Sequence, residues 1–436
     1  GYAGPMTGDY SAFGIDISNA ELLAAQEAEP LGGFSFEVLV EDTQGSGEGG
    51  ASVANLYVSD PDMVAIAAHT FSGSTAAAIP IYEAALRPML SPSATRADLT
   101  QDNDIFNRIP FTDDIQGTNA AQYLYETLGL TKLAVMHDGD AYGKGLAEKV
   151  QEVFTELGGE VVAFEAITPG ETDYSAVLTD ISARGPEGIF YGGYYAEAAV
   201  IANNMPVAGL ADVVLFSDDG SFGASFIELA GDQAEGVYAT SALPPSSPER
   251  DAFDALYEET YGEVPGSLST FTWHGYDVVN ALIYAINQVA MLSDDGNLYI
   301  PRQALVDAVN NLSGFEGLTG TISCSDGECN TAGPTFYIVQ DGEWVEAVGW
   351  AVVMPEPEGP IRVEGVPDDC ADNPDETVCA VIEPGNTIKI GYAGPMTGDY
   401  SAFGIDISNA ELLAAQEAEP LGGFSFEVLV EDTQGS

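Results

Sequence analysis

The sequence predicts an α/β protein whose parallel sheets are flanked by helices and divided between two lobes. Three observations carry this expectation. Short apolar runs of strand length alternate with longer helical stretches from the first residues to about Thr240. Small and turn-forming residues (Gly, Pro, Ser, Asp) stand between them. The chain has 436 residues, and about a dozen βα elements exceed what one core comfortably holds.

The elements follow in order. Gly1 to Gly4 is the remnant of a strand, and Gly4-Pro5-Met6-Thr7-Gly8 leads to a helix over roughly Gly14 to Glu27. Phe34 to Val40 alternates apolar and polar, as a strand does, and Gly49 to Ser59 is helical. Met63 to Ala68 is a short apolar strand that turns at His69-Thr70-Phe71-Ser72-Gly73-Ser74-Thr75 into a helix, Ala76 to Ala85. A strand from Pro88 to Ser91 then runs into Pro92-Ser93-Ala94-Thr95. This βαβ unit puts small hydroxyl residues at the carboxyl ends of parallel strands, where open α/β sheets hold ligands. The Ser72–Thr75 turn offers backbone N–H groups, hydroxyls and the positive end of a helix dipole to an anion. Plain helix capping by Ser74 or Thr75 accounts for the same residues equally well.

Alternation continues with a strand at Ile105 to Ile109, a helix at Gln116 to Leu128 and a strand at Lys132 to His137. Helices at Gly143 to Leu157, Tyr174 to Ala183, Ala196 to Val207 and Ala224 to Leu229 each precede a strand, at Glu160 to Ala166, Gly188 to Tyr191, Val213 to Ser217 and Gly236 to Thr240. After Pro244-Pro245 three helices follow, Pro248 to Tyr261, Thr272 to Leu292 and Arg302 to Leu312. Strands at Gly317 to Ser323, Thr335 to Gln340 and Trp344 to Val348 come last. Beyond Val353 the chain reads as an acidic, proline-rich linker.

Residues 1–46 recur letter for letter as 391–436. The second copy has the fuller strand, because Asn386-Thr387-Ile388-Lys389-Ile390 precedes Gly391. One lobe has one slot for this segment, so the copies compete. The first copy closes shorter loops and is expected to dock. The surplus copy is then available for strand exchange with another molecule.

Eleven basic against 69 acidic residues give a net charge of −58, which argues against nucleic acid and anionic membrane surfaces as partners. The cysteines form two close pairs, Cys324 with Cys329 and Cys370 with Cys379. Local pairing suggests two disulfides and an oxidising compartment, with zinc as the weaker alternative because the spacings are not finger-like. The sequence contains no Gly-x-Ser-x-Gly elbow, phosphate-binding Walker loop or His-Glu-x-x-His pair, so an enzyme reading has little support. No cofactor and no metal site is expected.

Several motifs in order resemble the periplasmic leucine/isoleucine/valine-binding proteins. They are Ile388 to Gly398, His69 to Thr75 with Ser91 to Thr95, His137-Asp138-Gly139-Asp140-Ala141-Tyr142-Gly143, Ile167 to Ser175, Tyr191-Gly192-Gly193-Tyr194-Tyr195 and Ala230 to Gly236. The resemblance implies two Rossmann-like lobes of the type I periplasmic binding protein, with residues 1–116 and 245–316 in the first and 117–244 and 317–350 in the second. Residues 351–386 would be the linker and 387–436 the duplicate. The implied function is an extracytoplasmic, periplasmic or extracellular solute-binding protein, closing on a branched-chain or other apolar amino acid. It would deliver that ligand to an ABC permease as a monomer. A sensor module of the same fold, or an amide- or urea-type binder, is the alternative. Carried over by position, Ser72, Ser93, Ala94 and Thr95 would seat the carboxylate, and Asp219 would meet the ammonium, with Asp218 second in line. Tyr142 and Tyr194 would close over the ligand. Phe13 (or its duplicate Phe403) and Phe271 would shape the side-chain pocket.

Overall fold

The computed structural model describes residues 1–294, 296–329 and 333–347, and the backbone of 388–394 and 426–432. Two compact units are present, Gly1–Met354 and Pro355–Ser436.

The first unit begins with β1 (Tyr2–Gly4), α1 (Ser11–Glu27), β2 (Val40–Asp42), α2 (Gly47–Ser59), β3 (Ile66–Ala67), α3 (Ser72–Ala84), β4 (Met89–Ser91) and β5 (Phe106–Arg108). The chain then builds α4 (Asp113–Gln122), β6 (Lys132–His137), α5 (Ala141–Glu156), β7 (Glu160–Ala166), α6 (Ser175–Ser182) and β8 (Gly188–Gly192). Next come α7 (Tyr195–Asn204), β9 (Val214–Phe216), α8 (Ala224–Ala230), β10 (Tyr238–Ser241), α9 (Pro248–Tyr261) and α10 (Thr272–Val289). Small hairpins β11 (Met291–Leu292) with β12 (Leu298–Tyr299), and β13 (Phe315–Gly317) with β14 (Gly320–Ile322), flank α11 (Arg302–Asn310). The unit ends with β15 (Cys324–Ser325), β16 (Glu328–Cys329), β17 (Thr335–Gln340) and β18 (Glu343–Glu346).

Two sheets define two lobes. In the first, β3, β4 and β5 run parallel and the β15–β16 hairpin closes the edge, in the order β15-β16-β5-β4-β3. β1 lies beside β3, because Ala67 N–H donates to Gly1 O at 3.0 Å and Thr70 N–H to Ala3 O at 3.1 Å. β2 pairs in parallel with β1 on its far side. The second lobe is a seven-stranded sheet, β18-β17-β10-β9-β8-β6-β7, in which only β17 runs against the other strands. Its core is apolar on every strand, with Leu133 to Met136 and Ile189 to Tyr191 fully buried under α4, α5 and α7. Such continuous apolar runs are what a sheet covered on both faces requires.

Several boundaries differ from the sequence reading. The helix after the small-residue turn starts at Ser72 rather than at Ala76, because Thr75 N–H already reaches Phe71 O at 2.9 Å. Of the Phe34-to-Val40 stretch and its continuation, only Val40–Asp42 is a strand, paired with Tyr2–Gly4. The strand expected over Met63 to Ala68 pairs only at Ile66–Ala67. The long apolar helix stops at Val289, and Met291–Leu292 turn back as a hairpin. Gly317 to Ser323 is not one strand but a turn of β13 into β14, with Gly320 at φ +119°, a conformation that needs glycine.

The first copy of the repeated segment is the one built into the first lobe, where Tyr2, Ala3 and Ile17 are fully buried. In the second unit, β19 (Ile388–Gly394) pairs in parallel with β20 (Phe426–Asp432). Of the two disulfides expected from the sequence, one is formed: Cys324 and Cys329 are bridged across β15–β16. The other does not stand beside it as a structural finding, because Cys370 and Cys379 both lie outside the described residues. The expected linker and Phe403 lie outside them as well.

Candidate functional site

Two walls meet at the carboxyl ends of the strands. The first comes from the first lobe. β3 leads through His69 and Thr70 to the amino end of α3, whose capping residue is Phe71 in extended conformation with no side-chain cap. Ser74 and Thr75 do not cap the helix. Their hydroxyls donate to Phe71 O at 2.9 and 2.8 Å. The first turn's own N–H groups therefore keep the positive end of the helix open. Glycine brings α3 here: a Cβ on Gly50 of α2 would stand 2.6 Å from Ser74 O.

The neighbouring loop after β4 is pinned from behind. Ser91 Oγ donates to His69 O at 2.9 Å and accepts from Ala94 N–H at 3.0 Å, and Ser93 Oγ donates to Thr70 O at 2.8 Å. Ser93 N–H also donates to Ser91 Oγ at 3.3 Å. The guanidinium of Arg108, fully buried at the end of β5, donates to the carbonyls of Ala94, Arg96 and Ala97 at 3.0, 2.7 and 3.2 Å. Glu328, beside the Cys324–Cys329 bridge, accepts from the same guanidinium at 2.9 Å. The disulfide hairpin thus holds the arginine that holds the loop carrying Thr95.

The second wall comes from the second lobe. Asp219 follows β9, is 3% exposed, and takes two hydrogen bonds on the same oxygen. Tyr142 Oη donates to its Oδ1 at 2.8 Å, and Gln116 Nε2 donates to that atom too. Gln116 is itself held, accepting from Thr240 Oγ1 at 3.0 Å. Oδ2 takes neither bond. Tyr142 reaches this position because α5 starts hard against β8: a Cβ on Gly143 would collide with Gly192 O.

Burial pushes the Asp219 carboxyl up to about 6, opposed by the Tyr142 and Gln116 hydrogen bonds. Burial, then the charge of Asp219, drives its neighbour Asp218 well above the ordinary carboxylate range. Two adjacent buried acids do not both ionise readily. Asp218 does not line the cavity, and its Oδ2 accepts from Gly193 N–H at 2.8 Å. The geometry therefore makes Asp219 the ionised member. Asp113, at the start of α4, is pushed up to about 8 by burial and by Asp219.

A cavity of about 280 Å³ lies between the walls, lined by Phe13, Thr70, Phe71, Ser72, Ser93 and Thr95 on one side and Tyr142, Tyr194, Asp219 and Gly220 on the other, with Phe271. Eight of the nine residues singled out in the sequence thus converge. Ala94 does not line the cavity, being fully buried behind it. Thr70, Phe71, Gly220 and Gln116 were missed. Phe71 and Thr70 stand inside the small-residue motif and were open to recognition. Gln116 had no local signal, since it meets Asp219 across 103 positions.

Rings cross the gap between the lobes. Phe71 and Tyr194 lie 4.4 Å apart, Tyr10 and Tyr194 4.9 Å, and Phe13 stacks on Tyr195 at 5.6 Å. Tyr10 Oη donates to Glu197 Oε2 at 3.0 Å, and Tyr195 Oη donates to Asp9 O. Among the described residues, no cluster of three or more His, Cys, Asp or Glu is arranged to hold a metal ion. No described helix is long and apolar enough to cross a membrane.

Comparison with known proteins gives consistent relatives. The family model described as periplasmic binding protein matches residues 1–343. The leucine-specific-binding protein of Salmonella typhimurium is 30% identical over 291 residues, covering 66% of this chain and 78% of that protein. The Leu/Ile/Val-binding protein homolog 3 of Brucella melitensis is 28% identical over 357 residues, covering 79% and 92%. Among solved structures, a leucine-binding LivK from Thermotoga maritima superposes with a TM-score of 0.73 at 28% identity, covering 81% of this chain and 98% of that one. The LivJ protein of Streptococcus pneumoniae, solved in complex with isoleucine, gives 0.69 at 28% identity, covering 79% and 98%.

Proposed function

The chain belongs to the periplasmic binding protein family, and from that premise we propose that it is the extracytoplasmic solute-binding component of an ABC importer, closing on an apolar amino acid of the branched-chain class. One observation carries the reading: a single small cavity has an uncharged, donor-rich wall facing a wall with one wired carboxylate. A zwitterion fits that polarity. Its carboxylate goes to the open end of α3, Ser72 and Thr95, where backbone dipoles act without a lysine or arginine in the lining. Its ammonium goes to Asp219, whose Oδ2 lies clear of the Gln116 and Tyr142 bonds. Phe13, Phe71 and Phe271 line the space left for an apolar side chain.

The mechanism is binding followed by lobe closure, with no bond made or broken. Each wall belongs to a different lobe, so a ligand gains both sets of contacts only when the lobes are shut. The permease would then receive the closed form. Leucine and isoleucine, the ligands named for the relatives, are the first to try. A thermal-shift panel of amino acids tests the proposal, because a ligand bound by the native state alone raises the melting temperature. Stabilisation by leucine, isoleucine or valine is expected. A panel in which no amino acid shifts the transition, while a carboxylate lacking an ammonium does, overturns it.

A further inference from the structure

Asp113 is a buried acid that belongs to neither wall of the cavity. It is the first residue of α4, a position where carboxylates ordinarily stand in water and favour the positive end of the helix. Here Thr112 does the capping, its hydroxyl taking Ile115 N–H at 3.4 Å, and Asp113 is 3% exposed. Its own N–H donates to Thr95 O at 2.8 Å, which ties it to a residue of the carboxylate wall.

Neither carboxyl oxygen of Asp113 has a well-formed hydrogen bond. Arg108 is the buried cation that acts on it. That guanidinium spends its donors on the carbonyls of Ala94, Arg96 and Ala97 and on both oxygens of Glu328. The cations nearer the surface are engaged too: Arg96 by Asp98, and Lys144 by Glu148. Asp114, next along the helix, faces Lys149 at 3.4 Å. Asp219 and the Tyr142 hydroxyl act on Asp113 from the second lobe and bring no positive charge. Burial, then the charge of Asp219, pushes the Asp113 carboxyl up to about 8, against the pull of the Thr95 hydroxyl and of Arg108. At neutral pH it is the uncharged acid.

An uncharged carboxyl has an O–H to donate, which a carboxylate lacks. Thr95 has one hydroxyl proton. Beside a carboxylate, Thr95 gives that proton to Asp113 and shows the cavity a lone pair. Beside the acid, Thr95 Oγ1 accepts, and its proton is left for the cavity. A ligand carboxylate needs the second arrangement. We propose that Asp113 is a positioning residue for the ligand carboxylate: its carboxyl O–H donates to Thr95 Oγ1 and so turns the Thr95 proton into the cavity. The inference rests on the binding mode proposed above. Two neighbouring acids then take opposite parts, Asp219 ionised for the ammonium and Asp113 neutral for the carboxylate.

Calorimetry with leucine, isoleucine and valine on the full chain tests the proposal. At pH 7 Asp113→Ala should weaken binding about threefold to tenfold, the loss of one hydrogen bond. Asp113→Asn keeps a donor of the same size and should stay within about twofold of the parent. On a Thr95→Val background there is no hydroxyl to orient, so Asp113→Ala should cost nothing further. Above about pH 8 the parent's affinity should fall by up to about tenfold per pH unit as the acid ionises. Asp113→Asn should lack that fall, and the ligand ammonium titrates alike in both. At pH 8, compared between buffers of different ionisation heat, the parent should take up about half a proton per ligand and Asp113→Asn none. Equal alkaline limbs in parent and Asp113→Asn overturn the assignment and leave amino acid binding standing. So does an Asp113→Ala loss that persists on the Thr95→Val background. A parent chain that binds none of the three amino acids overturns the proposed function, and this inference with it.

Discussion

The two walls of the cavity handle charge in opposite ways. The α3 wall has no formal charge in the lining and spreads its work over a helix end, Ser72 and Thr95. The Asp219 wall concentrates one charge on one side chain, with Tyr142 and Gln116 both donating to it and Thr240 holding Gln116 from behind. Distributed dipoles tolerate the loss of a member, whereas a single buried charge does not.

That contrast orders the expected effects of substitution. Asp219→Ala removes the only counter-charge for an ammonium in the lining, and calorimetry should record a loss of about 3–5 kcal/mol in amino acid binding. Unchanged affinity would remove Asp219 from the site. Tyr142→Phe and Gln116→Ala each delete one hydrogen bond to the carboxylate, and each should weaken binding by about 1.5–3 kcal/mol. Gln116→Glu sharpens the point, since it should also raise the pH below which binding fails, a change that lost packing alone does not produce. Ser72→Ala, on the shared wall, should weaken binding by about 1 kcal/mol. A larger loss there than at Asp219 inverts the comparison. Deleting residues 391–436 should leave binding unchanged, because the first copy is the one built into the lobe; loss of binding would show the second copy completing the site.

Acidity separates the walls again. Asp219, held at about 6, must be ionised to meet an ammonium, so affinity should fall about tenfold per pH unit below that value. Stability without ligand should move the other way. Asp219 at about 6, Asp16 at about 7 and Asp113 at about 8 are all raised in the folded chain by burial. A raised folded value contributes stability that is fully present below the ordinary value of 3.8 and is lost as pH climbs through about 6 to 8. Melting temperatures measured without and with ligand between pH 5 and 8 should therefore converge on the acid side, an order-of-magnitude linkage expectation.

The alternation of β and α elements was legible because a doubly covered sheet demands apolar strands between helices, as at Leu133 to Met136 and Ile189 to Tyr191. Ser72, Thr95 and Asp219 were legible because each stands in a short motif just past a strand. The Cys324–Cys329 bridge was legible from its spacing, since a two-residue turn between short strands sets the cysteines directly opposite each other. The start of α3 was misplaced by four residues, since Ser, Gly and Thr are weak helix formers and only the Thr75-to-Phe71 bond reveals the first turn. Phe34 to Val40 had the alternation of a strand, but most of it lacks a partner in β1. Gln116 and Arg108 were invisible for another reason. Their importance lies in what the fold brings to them, an aspartate from β9 and three loop carbonyls, and no spacing along the chain announces either.

The links from Tyr10 to Glu197 and from Tyr195 to Asp9 join the lobes outside the cavity lining. Such bonds favour the shut arrangement independently of the contacts made inside the cavity. An arriving amino acid then has less reorganisation to drive, which tightens its hold. The same bias narrows the contrast between empty and loaded molecules, so a transporter that docks on the shut outline alone would also engage empty carriers. Loosening either tyrosine should trade grip for fidelity.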